Sequence, residues 1–76
     1  MNIHPTAILG ENVSLGENVK IGAYAIVEDG AVLGDGCVVE PHAKICSSAR
    51  IGGNCRICSF AVVGGEFFEG EVNAVH

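Results

Sequence analysis

The stretch that decides the fold is residues 21–40, IGAYAIVEDGAVLGDGCVVE. Divided into sixes it reads IGAYAI, VEDGAV and LGDGCV, with an aliphatic residue at the head of each six. A period of six is neither the 3.6 of an amphipathic helix nor the simple alternation of a single strand. The pattern therefore indicates a repeat architecture, in which each unit packs on its neighbours.

The six-residue repeat extends in both directions without a gap. Its first positions are all aliphatic: Ile3, Leu9, Leu15, Ile21, Val27, Leu33, Val39, Ile45, Ile51, Ile57 and Val63. Its fifth positions are all small or β-branched: Ala7, Val13, Val19, Ala25, Ala31, Cys37, Ala43, Ala49, Cys55 and Ala61. Composition alone does not produce this order.

The repeat predicts an all-β fold, a parallel β-helix with a triangular cross-section. Positions five, six and one form a short strand, and because strand side chains alternate faces, five and one point inward and six points outward. Gly, Asn, Asp and Glu collect in the other three positions, where the chain turns. If each turn is a third of a circle, three sixes close one coil, and coils stack about 4.8 Å apart as parallel strands.

A rival interpretation places β-hairpins at Asp29-Gly30 and Asp35-Gly36, because Asp-Gly is a strong hairpin signal. The two pairs lie one repeat apart, and hairpins leave the strict period of six unexplained. The repeat rule favours the β-helix.

The repeat holds through residue 65 and then stops. We expect β-helix coils over residues 1–65, about three and a third coils, and an irregular tail or the start of a loop over residues 66–76. The upper coil then presents an unpaired parallel edge, which solenoids normally cover. Three interpretations stay open: Phe67 and Phe68 fold over the edge, a longer chain continues the coil, or a partner covers it.

Charge and composition exclude several classes of function. Nine acidic against four basic residues give a net charge of −5, which argues against nucleic-acid binding because that needs a basic surface. No apolar run approaches the roughly 20 residues that span a bilayer, and the N-terminal residues lack a signal-peptide pattern. We expect a cytoplasmic protein whose four cysteines are free thiols.

The outward positions differ from wall to wall. One wall stacks Ile8, Ile26, Lys44 and Val62, and an exposed aliphatic stripe of this kind indicates a subunit contact. A prism with three similar walls suits a three-fold assembly. We therefore predict a homotrimer that uses this wall, against the alternative of scattered surface apolar residues.

The titratable residues show no catalytic constellation. His4 and His42 fall in turns two coils apart, with no carboxylate or nucleophile spaced to form a dyad, and His76 is the last residue. Lys44, Arg50 and Arg56 fall on three different walls and are interpreted as solvated surface. We predict no catalytic residue from this pattern, and substrate-binding residues stay unknown.

The cysteines give two further candidate sites. Cys55 and Cys58 have C-x-x-C spacing, but the register points Cys55 inward and starts the next turn at Cys58, so they do not share a metal. Cys37 and Cys55 lie one coil apart and both inward. A disulfide between them is geometrically conceivable, and two small buried thiols are the preferred interpretation. We predict no metal and no cofactor.

With the repeat and the opening IHPTAI in hand, the chain resembles the left-handed β-helix acyltransferases. Within that superfamily it is most similar to the UDP-N-acetylglucosamine O-acyltransferases of lipid A biosynthesis. The similarity rests on IHPTAI at 3–8, on residues 21–45 and on RIGGNCRICSFAVVGG at 50–65. The resemblance implies the left hand of the coil, which runs against the usual crossover preference.

The resemblance also implies a trimeric enzyme that transfers a hydroxyacyl chain from acyl carrier protein to the sugar 3-hydroxyl. That family's general base is a histidine in a later stretch similar to AHIAHD, and this sequence contains no such stretch. Its loop similar to QDLKY is also absent, since residues 66–76 read EFFEGEVNAVH. A related superfamily, the β-helix carbonic anhydrases, holds zinc between subunits with three histidines. Only His4 and His42 are available in the coils of this chain, so we do not expect such a zinc site.

Three hypotheses about function follow from the sequence. The leading one is an N-terminal β-helix segment or truncated relative of such an acyltransferase, inactive alone, so whether the chain is an enzyme is left uncertain. The second is a non-catalytic trimeric β-helix that scaffolds or binds a partner. The third is another hexapeptide acyltransferase, such as the later N-acyltransferase of the same pathway. Acyl carrier protein and UDP-N-acetylglucosamine enter as partners only through the resemblance.

Overall fold

The computed structural model describes residues 2–64 and the backbone of two further strands at 67–68 and 71–72. Within these residues the chain consists of two-residue β-strands joined by tight turns. In chain order the strands are β1 Asn2–Ile3, β2 Ile8–Leu9, β3 Ser14–Leu15, β4 Lys20–Ile21, β5 Ile26–Val27, β6 Val32–Leu33, β7 Val38–Val39, β8 Lys44–Ile45, β9 Arg50–Ile51, β10 Arg56–Ile57, β11 Val62–Val63, β12 Phe67–Phe68 and β13 Glu71–Val72.

The strands form three parallel sheets, one on each face of a three-sided coil. Face A has the order β1-β4-β7-β10-β13, face B the order β2-β5-β8-β11, and face C the order β3-β6-β9-β12. Up to β11, paired strands are one full coil of three repeats apart, as in Asn2 with Lys20 and Ile8 with Ile26. The predicted parallel β-helix is confirmed, with regular strand pairing at positions six and one of each repeat.

Three sets of turns form the corners of the coil. Corner one joins face A to face B, corner two joins face B to face C, and corner three joins face C to face A. They comprise residues 4–7, 22–25, 40–43 and 58–61 at corner one, 10–13, 28–31 and 46–49 at corner two, and 16–19, 34–37 and 52–55 at corner three. A typical turn closes with the Ala43 N–H donating to the Glu40 carbonyl at 3.3 Å.

From Asn12 to Phe60, the fourth position of each repeat adopts a left-handed backbone conformation. The residues with positive φ are Asn12, Asn18, Tyr24, Gly30, Gly36, His42, Ser48, Asn54 and Phe60. Positive φ at the third residue of a β-turn defines type II geometry, which Gly and Asn adopt most readily. This conformation costs about 1–2 kcal/mol for an ordinary L-residue. Corner one is exceptional, because it places aromatic rings at this position.

The core consists of the inward columns that the repeat predicted. Positions one and five are buried from Val19 to Val63, and no polar side chain is buried among the described residues. At the lower end, Ile3 and Leu9 are 38% and 37% exposed because no coil of the described residues packs beneath them. The burial of the core therefore depends on coil-on-coil stacking, as in other solenoids.

Close approach of neighbouring coils explains the glycine at residue 34. A Cβ atom on Gly34 would lie 2.7 Å from the backbone nitrogen of Gly53 in the coil above. Polar side chains also join the coils: Asp29 Oδ1 accepts the N–H of Glu11 at 2.8 Å, and Asp35 Oδ1 accepts that of Glu17 at 2.8 Å. The acidic turn residues thus hold coils together.

The winding changes its spacing after residue 65. Phe67 pairs with Arg50, a separation of 17 residues, and Glu71 pairs with Arg56, a separation of 15. The strands therefore continue faces C and A with shorter connections than the 18-residue coils below. The prediction that Phe67 and Phe68 cover the upper edge concerns side chains that the structure does not describe, and it stays a prediction.

Candidate functional site

Corner one carries a stack of three aromatic rings, one from each of three successive coils. The ring centroids of Tyr24 and His42 are 5.3 Å apart with an angle of 18° between the planes. Those of His42 and Phe60 are 5.2 Å apart with an angle of 7°. Both distances lie in the range of favourable ring stacking. We call these three residues the aromatic ladder.

The lower end of the aromatic ladder rests on a polar turn. The backbone N–H of Tyr24 donates to Thr6 Oγ1 at 3.0 Å. His4 Nδ1 lies 2.9 Å from the same hydroxyl and accepts the Thr6 N–H at 3.2 Å. His4 is therefore engaged within its own turn, where it supports the coil above.

The aromatic ladder is exposed, although stacking buries part of each ring. Tyr24 is 59% and Phe60 is 76% accessible to solvent. At corners two and three, the described fourth positions hold only Gly, Asn or Ser. Stacking worth about 0.5–1.5 kcal/mol per pair offsets part of the left-handed backbone cost. Large exposed aromatic rings at a single corner are typical of a contact surface.

Face B contains a shallow depression of about 360 Å³ beside corner two. Its floor is aliphatic and one edge is acidic. The lining residues are Ile8, Gly10, Ile26, Val27, Glu28, Asp29 and Ser47. With Ile8 60% exposed, this surface suits a ligand or side chain that has an apolar body and a hydrogen-bond donor.

Two ion pairs join outward side chains to the coil below. Lys44 Nζ lies 3.5 Å from Glu28 Oε2, and Glu28 Oε1 accepts the N–H of Ser47 at 3.1 Å. Arg56 Nε donates to Glu40 Oε2 at 2.7 Å. Lys44 and Arg56 lie at the solvent-accessible surface, as predicted, with side chains 44% and 58% exposed. In addition, each pairs with a carboxylate that the turn below presents.

The environment of Glu40 favours its ionised form. Its second oxygen, Oε1, accepts the backbone N–H of Ser59 at 3.1 Å. The hydrogen bond from Arg56, and after it the one from Ser59, lowers the pKa of Glu40 below its ordinary value of 4.5. A carboxylate held in this way acts as an inter-coil link, because it stays charged and accepts two donors at once.

Cys37 and Cys46 are free thiols, Cys37 buried and Cys46 half-buried. Cys37 and Cys55 are both buried one coil apart, and Cys37 Sγ donates to the Gly52 carbonyl at 3.0 Å. Cys55 lies in corner three, while Cys58 lies half-buried in corner one. The two cysteines of the C-x-x-C pair therefore belong to two different corners, and Cys55 points into the core. Among residues 2–64, no group of three or more His, Cys, Asp or Glu side chains is arranged to hold a metal ion.

Within residues 2–64, the structure does not bring the sequence-predicted candidates together into a reaction centre. His4 is bonded to Thr6 and His42 is stacked between two rings. His76 lies outside the described residues. The prediction that this chain has no catalytic residue stays a prediction. Sequence reasoning missed the aromatic ladder, although the 18-residue spacing of Tyr24, His42 and Phe60 at one repeat position was a usable signal.

Comparison with known proteins agrees with this geometry. The family model described as the GMPPB C-terminal domain matches residues 1–75. A solved Arabidopsis UDP-N-acetylglucosamine acyltransferase superposes with a TM-score of 0.81 at 29% identity, covering 90% of this chain and 25% of that one. No curated protein matches the sequence. In the described part of the chain, no helix has the length and apolar character needed to cross a bilayer.

The three parallel sheets, the period of six and the solved neighbour define a left-handed parallel β-helix of the hexapeptide-repeat class. Its likeness to an acyltransferase β-helix extends over nine-tenths of the chain. The chain belongs to the GMPPB C-terminal domain family.

Proposed function

We propose that this chain is the β-helix portion, or a truncated relative, of an acyl-carrier-protein-dependent UDP-N-acetylglucosamine O-acyltransferase of lipid A biosynthesis. The observation that carries the proposal is the 29% identity to the Arabidopsis UDP-N-acetylglucosamine acyltransferase over 90% of this chain. This chain covers only 25% of that protein, so the activity of the whole enzyme is a proposal here.

The residues of the chain support a scaffold that is inactive alone. The family's general base belongs to a stretch similar to AHIAHD, which residues 1–76 do not contain. Of the two described histidines, His4 is hydrogen-bonded within its own turn and His42 is stacked between two aromatic rings. In this proposal the coils position an acceptor sugar and an acyl donor, and a proton acceptor comes from further residues. The proposed location is the cytoplasm.

The proposed assembly is a homotrimer that uses face B. Ile8 and Val62 are exposed on this face, and Ile26 lies between them in the same column. Covering an exposed apolar stripe is a common reason for association, and closed symmetric rings are the usual form of homo-oligomers.

The experiment that tests the enzyme proposal is an acyl-transfer assay with hydroxyacyl-acyl carrier protein and UDP-N-acetylglucosamine. We expect no transfer by this chain alone. Binding of the nucleotide sugar or of acyl carrier protein, measured by titration calorimetry, supports the proposal. Turnover comparable to a complete acyltransferase contradicts the absence of a catalytic group, and loss of both bindings contradicts the acyltransferase relationship.

A second candidate function is a non-catalytic trimeric β-helix module that scaffolds or binds a partner. Membership of a family described as a C-terminal domain favours it, because such a domain serves a longer protein. A folded trimer that binds neither acyl carrier protein nor nucleotide sugar supports this alternative. Transfer to UDP-3-acyl-glucosamine would instead favour the later N-acyltransferase of the pathway.

A further inference from the structure

Two exposed apolar surfaces of this chain are unexplained by its own packing. One is the aromatic ladder at corner one, and the other is the aliphatic depression of face B. The ladder residues take a backbone conformation that Gly or Asn adopts more easily, and the described turns at the other corners use Gly, Asn or Ser. Aromatic rings were therefore placed at this corner at a conformational cost, in positions where they remain exposed.

We propose that the aromatic ladder of one copy packs into face B of the next copy around a three-fold axis. The inference rests on the proposed homotrimer and specifies its contact. Corner and face are different surfaces of one chain, so the contact is heterologous, and it closes after three copies. A convex corner against a flat, slightly hollow face is a shape match that two flat faces of triangular prisms cannot achieve around a three-fold axis.

We place the three-fold axis parallel to the coil axis, and this choice fixes which residues meet. A pure rotation moves no coil along the axis, so each ring meets side chains of the same coil in the neighbouring copy. Tyr24 precedes Ile26 by two residues and Phe60 precedes Val62 by two residues. The upper and lower rings of the ladder therefore meet aliphatic side chains of face B.

The middle ring meets a polar pair. His42 precedes Lys44 by two residues, and the side chain of Lys44 is drawn toward Glu28 of the coil below. This ion pair lowers the lysine head group away from the approaching ring. The stem of the lysine then offers apolar surface to the imidazole.

The lower ring also finds a hydrogen-bond acceptor. In the proposed contact, the ring of Tyr24 lies over Ile8 and Ile26 of the neighbouring copy, and its hydroxyl faces the acidic edge of that copy's depression, whose lining residues include Asp29. There Asp29 Oδ1 already takes the Glu11 N–H, and a carboxylate has lone pairs for further donors. A buried tyrosine hydroxyl normally needs such a partner. The depression therefore offers apolar side chains to the ring of Tyr24 and a carboxylate acceptor to its hydroxyl.

Sedimentation of the purified chain tests this contact. The variant carries Tyr24→Asn and Phe60→Asn, because Asn tolerates the left-handed conformation and keeps the turns intact. Ser48→Asn is the matched control, since it makes the same change at position four of corner two. We expect the dissociation constant of the trimer to rise at least about 100-fold in the double variant, as for loss of two hot-spot aromatic residues, and to stay within about threefold in the control.

A second measurement reports on Tyr24 itself. The chain has one Tyr and no Trp, so its intrinsic fluorescence comes from this ring. We expect iodide quenching to fall as the chain assembles, and Asp29→Asn, which keeps an oxygen for the Glu11 N–H, to weaken assembly about tenfold. A trimer in which Tyr24 stays fully quenchable, or a double variant that assembles as tightly as wild type, overturns the ladder contact and leaves the trimer standing. A wild-type chain that stays monomeric at all concentrations overturns the trimer as well.

Discussion

Replacement of His42 is the sharpest test of what the aromatic ladder contributes within one chain. His42 is the middle ring and stacks on both Tyr24 and Phe60. At about 0.5–1.5 kcal/mol per aromatic pair, removing both contacts costs about 1–3 kcal/mol. His42→Ala makes this loss and relieves no strain, because alanine keeps the Cβ atom that makes positive φ unfavourable.

His42→Gly separates the two effects. Glycine loses the same stacking but relieves about 1–2 kcal/mol of left-handed strain, while it adds about 0.5–1 kcal/mol of conformational entropy cost. We therefore expect the glycine variant to be more stable than the alanine variant. Ser48 is the matched control site, since it has a φ of 61° and lies at corner two, away from the ladder.

Urea unfolding followed by circular dichroism measures these differences. At an m-value of about 1 kcal/mol per M, the midpoint of His42→Ala falls by about 1–3 M, whereas Ser48→Ala changes little. The unfolding curves are recorded at a protein concentration at which sedimentation shows only monomer, so assembly makes no contribution to the midpoints. Equal midpoints for His42→Ala and Ser48→Ala would refute the reasoning, because stacking would then contribute nothing within the chain.

Three further predictions concern the coil itself. Gly34→Ala places a Cβ atom 2.7 Å from a backbone nitrogen of the next coil, so we expect about 1–3 kcal/mol of destabilisation by overpacking in the same urea assay. Gly53→Ala is the control, because the nearest atom to its Cβ, the Asp35 carbonyl oxygen, is 3.4 Å away. Ile45→Ala opens a cavity at a fully buried position and should cost about 2–5 kcal/mol, against a much smaller loss for Ile3→Ala at the exposed lower end. The depressed pKa of Glu40 means that its stabilising contribution is complete above pH 4.5 and is lost as the pH falls through the lower folded-state value. Acid unfolding of Glu40→Gln should therefore be less steep below pH 4.5, and an unchanged acid limb would contradict the role of this link.

The core could be predicted from the sequence because each inward position is specified within its own repeat. Ile45 and Ala49 are buried for the same local reason, one as a leading residue and the other as a fifth residue. The coil-to-coil register follows from the count of residues per coil, since any slip would move branched side chains out of the core. Ile3 departs from the pattern because no described coil packs below it.

The contacts between outward side chains were harder to predict. Glu40 and Arg56 are 16 residues apart, which joins the second position of one repeat to the sixth position one coil higher. This contact depends on the geometry of the whole coil, and the pattern within one repeat does not predict it. The same limit applies to the aromatic ladder, because its rings are 18 residues apart and a single turn residue such as His42 gives no sign of the stack.

The spacing of the upper strands shows a different limit. The first and fifth positions stop following the repeat after residue 65, so the sequence indicates an end to regular winding. Backbone pairing nevertheless continues at 67–68 and 71–72, because parallel strands need only aligned amide groups and not a particular side chain.

The short range of strand pairing in this coil has a mechanical consequence. The paired strands in the described residues lie at most 18 positions apart, so no link ties the bottom of the tube directly to its top. Each coil is stabilised only by the coils directly above and below it. A local perturbation at one end therefore affects the adjacent coil most and the more distant coils much less. Unwinding can then begin at the lower rim, where Ile3 and Leu9 are the least covered, while the middle rings remain intact.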